Sequence, residues 1–422
     1  MKSAVLIALV ACADAGGSLP PQDLPPSRPA CVEVAAGTAV QPFLDRELAV
    51  CLGPGVHAGP LRLRRPVVLW GGRDAVVRST GDGTTIRIEA AGARVAGFTI
   101  DGSGARYDLL DAAVHVGADD VTVEGLTIER ATFGILVERA RRVAVRGNVV
   151  RGDPAQPLGL RGDGIRLWET SDSVVEDNTV ADSRDLVVWY SSRNLLRRNR
   201  VSGSRYAAHL MYSHGCTVED NRSVGNVVGV FAMYVRGGVI RRNLLAGSAG
   251  AAGMGIGLKD SGDVTVEDNR LLDDSVCLYL DNSPVQATDT NRIDGNLFRG
   301  CGRAVVFHGG GGRNHFGGNA LVDNRVQVEN EGGGDAAAWS GNWFDDYAGY
   351  DLDGDGRGDL PYELRSLRGD VVSRHPDLRF FEGAPALALA EAVGRLVPLA
   401  RPSLVARDDR PLIRAPRGPD AR

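Results

Sequence analysis

Five asparagines, Asn178, Asn199, Asn221, Asn243 and Asn269, close similar phrases at intervals of 21, 22, 22 and 26 residues. A repeat of that length marks a stack of coils, each too small to bury its own apolar face and buried by its neighbours. Within each phrase two apolar residues flank an intervening position: Ile165/Leu167, Leu186/Val188, Ala208/Leu210, Val230/Ala232 and Ile256/Leu258. A period of two is that of a strand with one face inward. A propeller blade needs about 40 residues or more, and a leucine-rich repeat needs a fixed Leu ladder, whereas here Val, Ile, Leu and Thr interchange. The predicted fold is all-β: a right-handed, single-stranded parallel β-helix with a C-terminal cap and a short helical tail. Composition agrees, since 422 residues with 55 glycines, 43% hydrophobic and 6% aromatic suit a long core of short strands and tight turns.

Residues 1–13 combine Lys2, an apolar run at 4–11 and Cys12. This is the pattern of an export signal, too short for a bilayer span of about 20 apolar residues. Leu9-Val10-Ala11-Cys12 also matches a lipoprotein signal, with Cys12 as the lipid-bearing residue; cleavage after Ala13 or Ala15 is the competing reading. Export implies an oxidising compartment. Residues 14–30 form a Pro-rich linker, 31–342 the β-helix, 343–384 a Trp/Asp-rich cap, and 385–422 an amphipathic segment with an extended, flexible tail. Coils are expected from about Leu61, and Pro154, Pro157 and several glycines between Arg151 and Asp163 mark an excursion loop. Cys31 and Cys51 flank the entry to the first coil and form the expected disulfide. Cys216, Cys277 and Cys301 are an odd remainder, with Cys277 on an inward column where a thiol acts as a small hydrophobe. The net charge of −5, with Arg scattered singly, argues against nucleic acid as a partner; Arg197-Arg198 and Arg241-Arg242 read as solvated turns.

Ten residues before each Asn, the outward positions read Trp168, Trp189, Met211, Met233 and Lys259. Parallel coils stack about 4.8 Å apart, so Met211 and Met233 are expected to be direct neighbours. His209 lies two residues from Met211 on the same face, and Trp189 one coil below. Two thioethers and an imidazole suit Cu(I), a soft monovalent ion that needs few ligands and no carboxylate, and an indole can add a cation–π contact. A methionine pair in an apolar solenoid also serves as simple packing. The outward placement, and a total of only four methionines with Met1, favour copper. Met254 reads as a turn residue outside the column, with a reach into the patch as its second reading. Tyr190, Tyr212 and Tyr234 form the next column, read as a packing ladder.

Exposed Trp and Tyr also suit sugar stacking, and a polysaccharide lyase or epimerase is the alternative function. Its base would come from Lys259, Asp260 and Asp281, although both aspartates serve equally as turn formers. A structural adaptor without a metal site is the third reading. Near the C-terminal end, Asp351, Asp353 and Asp355 alternate before Gly356, as in the first half of a calcium loop, with Asp359 as a further oxygen donor. Tyr362 holds the twelfth place instead of Glu, so calcium here would set the cap's conformation. An ion-free Asp-rich turn is the competing reading.

The phrases Ala208-His209-Leu210-Met211-Tyr212-Ser213, Phe231-Ala232-Met233-Tyr234 and Trp339-Ser340-Gly341-Asn342-Trp343-Phe344-Asp345-Asp346-Tyr347, followed by 351–362, resemble the NosD family of periplasmic copper-handling proteins. The resemblance covers about residues 31–412. It implies a β-helix, a periplasmic and non-catalytic accessory role in nitrous oxide reductase maturation, and contact with that reductase and a copper chaperone lipoprotein. It further implies an ABC transporter made of a permease and an ATPase, which would bring the protein to the membrane. Val235 departs from the serine expected after the second Met-Tyr. The ligand set His209, Met211, Met233 and Trp189 rests on the column, not on the resemblance.

Overall fold

In the computed structural model, residues 26–309, 312–331, 337–366, 389 and 403–416 are described. The expected export signal with Cys12 and nearly all of the amphipathic segment lie outside them. Each coil contributes one strand to each of three sheets, of 16, 12 and 13 strands, whose neighbours are every third strand along the chain. This is a parallel β-helix, in which a strand covered on both sides by its neighbours favours Val, Ile and Leu. One inward column runs Val123, Val145, Val175, Leu196, Val218, Ile240 and Val266 as successive partners, all of them buried. The stack begins earlier than Leu61, with Val32–Val34 paired to Ala49–Leu52; the Cys31–Cys51 disulfide closes this end, and Leu44 of the short helix Gln41–Leu44 is buried over it.

The repeated asparagines form a ladder. Asn178 donates both its backbone N–H and its side-chain amide to Oδ1 of Asn199, at 3.1 and 3.0 Å, and the same bonds recur upward from Asn148 to Asn342. Their second amide hydrogen goes to a carbonyl inside the turn, as from Asn199 to Val175. The turns are thus satisfied internally, which a buried polar column requires.

Three expectations change. Part of the tail is not free but built into the sheet: Ser403–Asp408 is a strand antiparallel to Tyr362–Ser366 and joined to Ala337–Ser340. The buried Asp408 carboxylate accepts the backbone N–H of Gly341 and Asn342 and the Asn342 amide, standing where the next Asn would be. Cys277 is not a thiol but is bonded to Cys301. Among the described residues only Cys216 is free, and burial pushes its pKa up to about 11, which makes it unreactive. Finally, the Arg pairs are rungs rather than solvated turns. Glu124, Arg146, Glu176, Arg197, Glu219, Arg241 and Glu267 alternate in register up one column, while Arg198 and Arg242 pair with Asp177 and Asp220 beside it.

The excursion loop between Val149–Arg151 and Ile165–Trp168 contains a 3-10 turn, Leu158–Leu160. Arg161 pins it by donating to the carbonyls of Pro154, Gln156 and Gly203. A cleft of about 830 Å³ opens beneath, with Asp163 in its lining. Among the described residues, no helix is long and apolar enough to cross a membrane.

Candidate metal centre

The outward column lies on the 12-stranded sheet. Strands Ile165–Trp168, Asp185–Trp189, Tyr206–Met211, Val228–Met233 and Met254–Lys259 make Trp168, Trp189, Met211, Met233 and Lys259 successive partners. Their chain neighbours Leu167, Val188, Leu210, Ala232 and Leu258 are buried, and the column residues are half-buried. Met211 therefore stands directly against Met233, with Trp189 one coil below. The Arg166 guanidinium lies over both indoles, 4.7 Å from the Trp168 ring and 5.4 Å from that of Trp189. A cation thus already sits on Trp189, which leaves it a wall of the patch.

His209 shares the outward face, yet it is only 6% exposed. The cause is a bulge. Asp185 pairs with Tyr206 and Val187 with His209, so the single residue Leu186 of one strand stands opposite both Ala207 and Ala208 of the next. The extra residue brings Tyr206 onto the His209 face, with ring centroids 4.5 Å apart; Trp189 meets the imidazole edge-to-face at 5.3 Å, and Phe231 lies at 6.2 Å. Neither His209 nitrogen, nor Trp189 Nε1, has a hydrogen-bond partner among the described residues. The nearest carboxylate oxygen is Oδ2 of the buried Asp185, 4.0 Å from Nδ1. Burial pushes the His209 pKa down to about 4, with Asp185 pulling upward and Arg205 and Arg184 adding to the fall. The imidazole is therefore neutral at neutral pH, with a free lone pair. Leaving a buried polar atom unpartnered costs about 1–3 kcal/mol, so two on one ring call for a ligand. A neutral imidazole beside two thioethers is a soft donor set that fits Cu(I).

Other residues of interest fall differently. Met254 is the first residue of its strand, in register with Tyr206 and Val228, not a turn residue. Its sulfur lies 2.7 Å, and the Phe231 ring 2.3 Å, from where a Cβ on Gly257 would stand, so both fold over that glycine. This is the end of the strand away from Met233. Tyr190, Tyr212 and Tyr234 stack with centroids 5.4 and 4.6 Å apart. They hold left-handed φ of 51°, 50° and 54°, which costs a non-glycine residue roughly 1–2 kcal/mol. Lys259 Nζ donates to Asp281 at 2.7 Å, and this bond holds its pKa above the usual lysine value. Asp260 accepts from Asn282. In the cap, ligand oxygens of Asp351, Asp353 and Asp355 lie within 4.8 Å of one another. Asp351 accepts the N–H of Gly354 and Gly356, Asp359 accepts that of Leu352, and Asp355 pairs with Arg410.

A family model described as "Periplasmic copper-binding protein (NosD)" matches residues 154–349, the segment that contains the bulge, the imidazole and the methionine pair. A "Probable ABC transporter binding protein NosD" of Pseudomonas aeruginosa is 28% identical over 395 residues, covering 86% of this chain and 88% of the relative. Its namesake in Stutzerimonas stutzeri is 27% identical over 398 residues, covering 86% of each. These matches make the chain similar to the NosD family. NosD is a periplasmic family by its description, and the span shared with the relatives reaches well beyond the coils that carry His209, Met211 and Met233. Among solved structures, the A-modules of the Azotobacter vinelandii mannuronan C-5 epimerases AlgE6 and AlgE4 superpose with TM-scores of 0.55 and 0.52 at 15% and 16% identity. Each covers 69% of this chain, and 89% and 91% of the module. At that identity the likeness is one of fold, and it agrees with the parallel β-helix seen in this chain.

Proposed function

We propose that this protein is a non-catalytic periplasmic accessory factor that binds Cu(I) at the outward face of the 12-stranded sheet. Its ligands are His209, Met211 and Met233, with Trp189 as the adjoining wall. It handles copper for the maturation of nitrous oxide reductase, exchanging it with a copper chaperone lipoprotein and working with an ABC transporter of permease and ATPase. The observation that carries this reading is the enclosed imidazole with both nitrogens unpartnered, two residues from one member of a register-paired methionine couple. The match to a family described as copper-binding and the relatives named as ABC transporter binding proteins support the cargo and the transporter.

A polysaccharide lyase or epimerase is less well supported. Lys259 is held protonated by Asp281, the wrong state for a general base. The tyrosine rings, which would stack on sugars, lie face to face with one another. Anaerobic Cu(I) competition titration of the wild type and the Met211→Ala/Met233→Ala variant tests the proposal. Saturable one-to-one binding lost in the variant is the expected result; a wild type that binds no Cu(I) rejects a preformed site. In the cap, we infer that Asp351, Asp353, Asp355 and Asp359 form a structural calcium loop, supported by the convergence of the first three carboxylates.

A further inference from the structure

Asp185 is fully buried and shares its carboxylate among several donors. Arg205 donates to both oxygens, Tyr206 donates its backbone N–H to Oδ1 at 3.2 Å, and Arg184 Nε stands 3.8 Å from Oδ2. Arg184 in turn donates to Oδ1 of Asp163 at 3.0 Å. This chain of charges, whose carboxylates are buried, ends against the candidate centre, because Oδ2 of Asp185 is 4.0 Å from His209 Nδ1. The bulge is responsible: it sets Asp185 opposite Tyr206 and offsets His209 by one residue, so the carboxylate faces the imidazole's flank rather than its Cα partner. Nδ1 thus looks toward a carboxylate and Nε2 does not. A histidine that binds metal through one nitrogen almost always donates the other N–H to a carboxylate, carbonyl or water, which fixes its tautomer and ring orientation.

We propose that Asp185 is the positioning residue of the centre: it accepts a hydrogen bond from His209 Nδ1–H and so presents Nε2 to copper. The inference rests on the copper reading above. Closing 4.0 Å to a hydrogen-bond length of about 2.8 Å takes a movement of about 1 Å at Nδ1, and Oδ2 has lone pairs for both His209 and Arg205. Arg205 and Tyr206 hold the carboxylate in place, so the acceptor is set before the metal arrives.

The test uses the full exported protein with histidine labelled in nitrogen-15, titrated anaerobically with Cu(I). Long-range proton–nitrogen NMR reads which ring nitrogen of His209 binds metal and which keeps its proton. The expected result is Nε2 ligation with Nδ1 protonated. Asp185→Asn should weaken Cu(I) binding by about 10- to 100-fold. Arg205→Gln breaks the same ion pair without removing the acceptor, and should weaken binding by clearly less than Asp185→Asn does. Ligation through Nδ1, an unchanged affinity in Asp185→Asn, or an equal loss in Arg205→Gln overturns the inference while leaving copper binding intact. Should Asp185→Asn fail to fold, the wild-type spectrum still decides. A wild type whose His209 signals ignore Cu(I) overturns the copper assignment of His209 itself, and the inference with it.

Discussion

Asp274 stands in a column of turn residues whose members Asn226 and Asn324 accept a backbone N–H through Oδ1 and donate through Nδ2 to the Val201 and Phe298 carbonyls. Asp274 accepts the Ser248 N–H in the same way, but its Oδ2 has no partner among the described residues. It can imitate the amide only as a protonated acid, and burial raises its pKa from 3.8 to about 7. A carboxyl whose folded pKa is raised contributes stability that is complete below the unfolded value and is lost as pH rises through the folded one. The Tm of the wild type should therefore fall relative to Asp274→Asn between about pH 5 and about pH 8; parallel Tm curves would reject the assignment. Periodicity alone located Trp189, Met211 and Met233, because facing follows from alternation along a strand. The enclosure of His209 was not legible. It depends on Tyr206, which a one-residue bulge turns outward, and on Asp185 in the preceding coil, and neither leaves a mark in hydrophobic alternation.

Among the elements, internal ladders outweigh exterior ones. Asn243 accepts from the backbone and side chain of Asn221 and donates to the Val218 carbonyl and to Asn269. Asn243→Ala should cost roughly 3 kcal/mol, since several buried groups lose their partner at about 1–3 kcal/mol each. Arg193→Ala, which removes an exposed pair with Asp172, should cost less than about 1 kcal/mol. Chemical denaturation of both variants measures the contrast, and equal losses would contradict it. The alternating Glu and Arg column fixes register as well, because a slip of one coil would set like charge on like. In the sequence these arginines looked solvated, since their acidic partners lie 21 or 22 residues away. Val235 breaks a ladder of turn serines: Ser191 donates its N–H to Ser213 and Ser261 to Ser283, whereas Val235 only donates, to Ser261. The strand of Ile256 and Leu258 was expected but its start at Met254 was missed, because the 26-residue interval hides the beginning of Met254–Lys259 behind an insertion.

At the scale of the whole molecule, the coil stack was readable because one period governs most of the chain. The closures of its ends were less so. Both disulfides span about one coil, with separations of 20 and 24 residues; Cys31–Cys51 was legible from its place at the entry to the stack, whereas the pairing of Cys277 with Cys301 becomes evident only when the coils are stacked. The cap offers a direct test. Calcium should raise the Tm of the wild type, and Asp353→Ala should abolish the rise; an equal Tm with calcium and with chelator would mean the loop is an ion-free turn. Asp408 reaches the last rung from 66 residues beyond Asn342. A chain that leaves the ribosome N-terminus first can lay each coil on the one before, so nearly all of the solenoid can assemble in order of synthesis. Its final edge stays raw until residue 408 arrives. That interval is when two nascent copies are most apt to join end to end, and a chain cut short anywhere between would carry every coil yet lack the piece that tells the stack to stop.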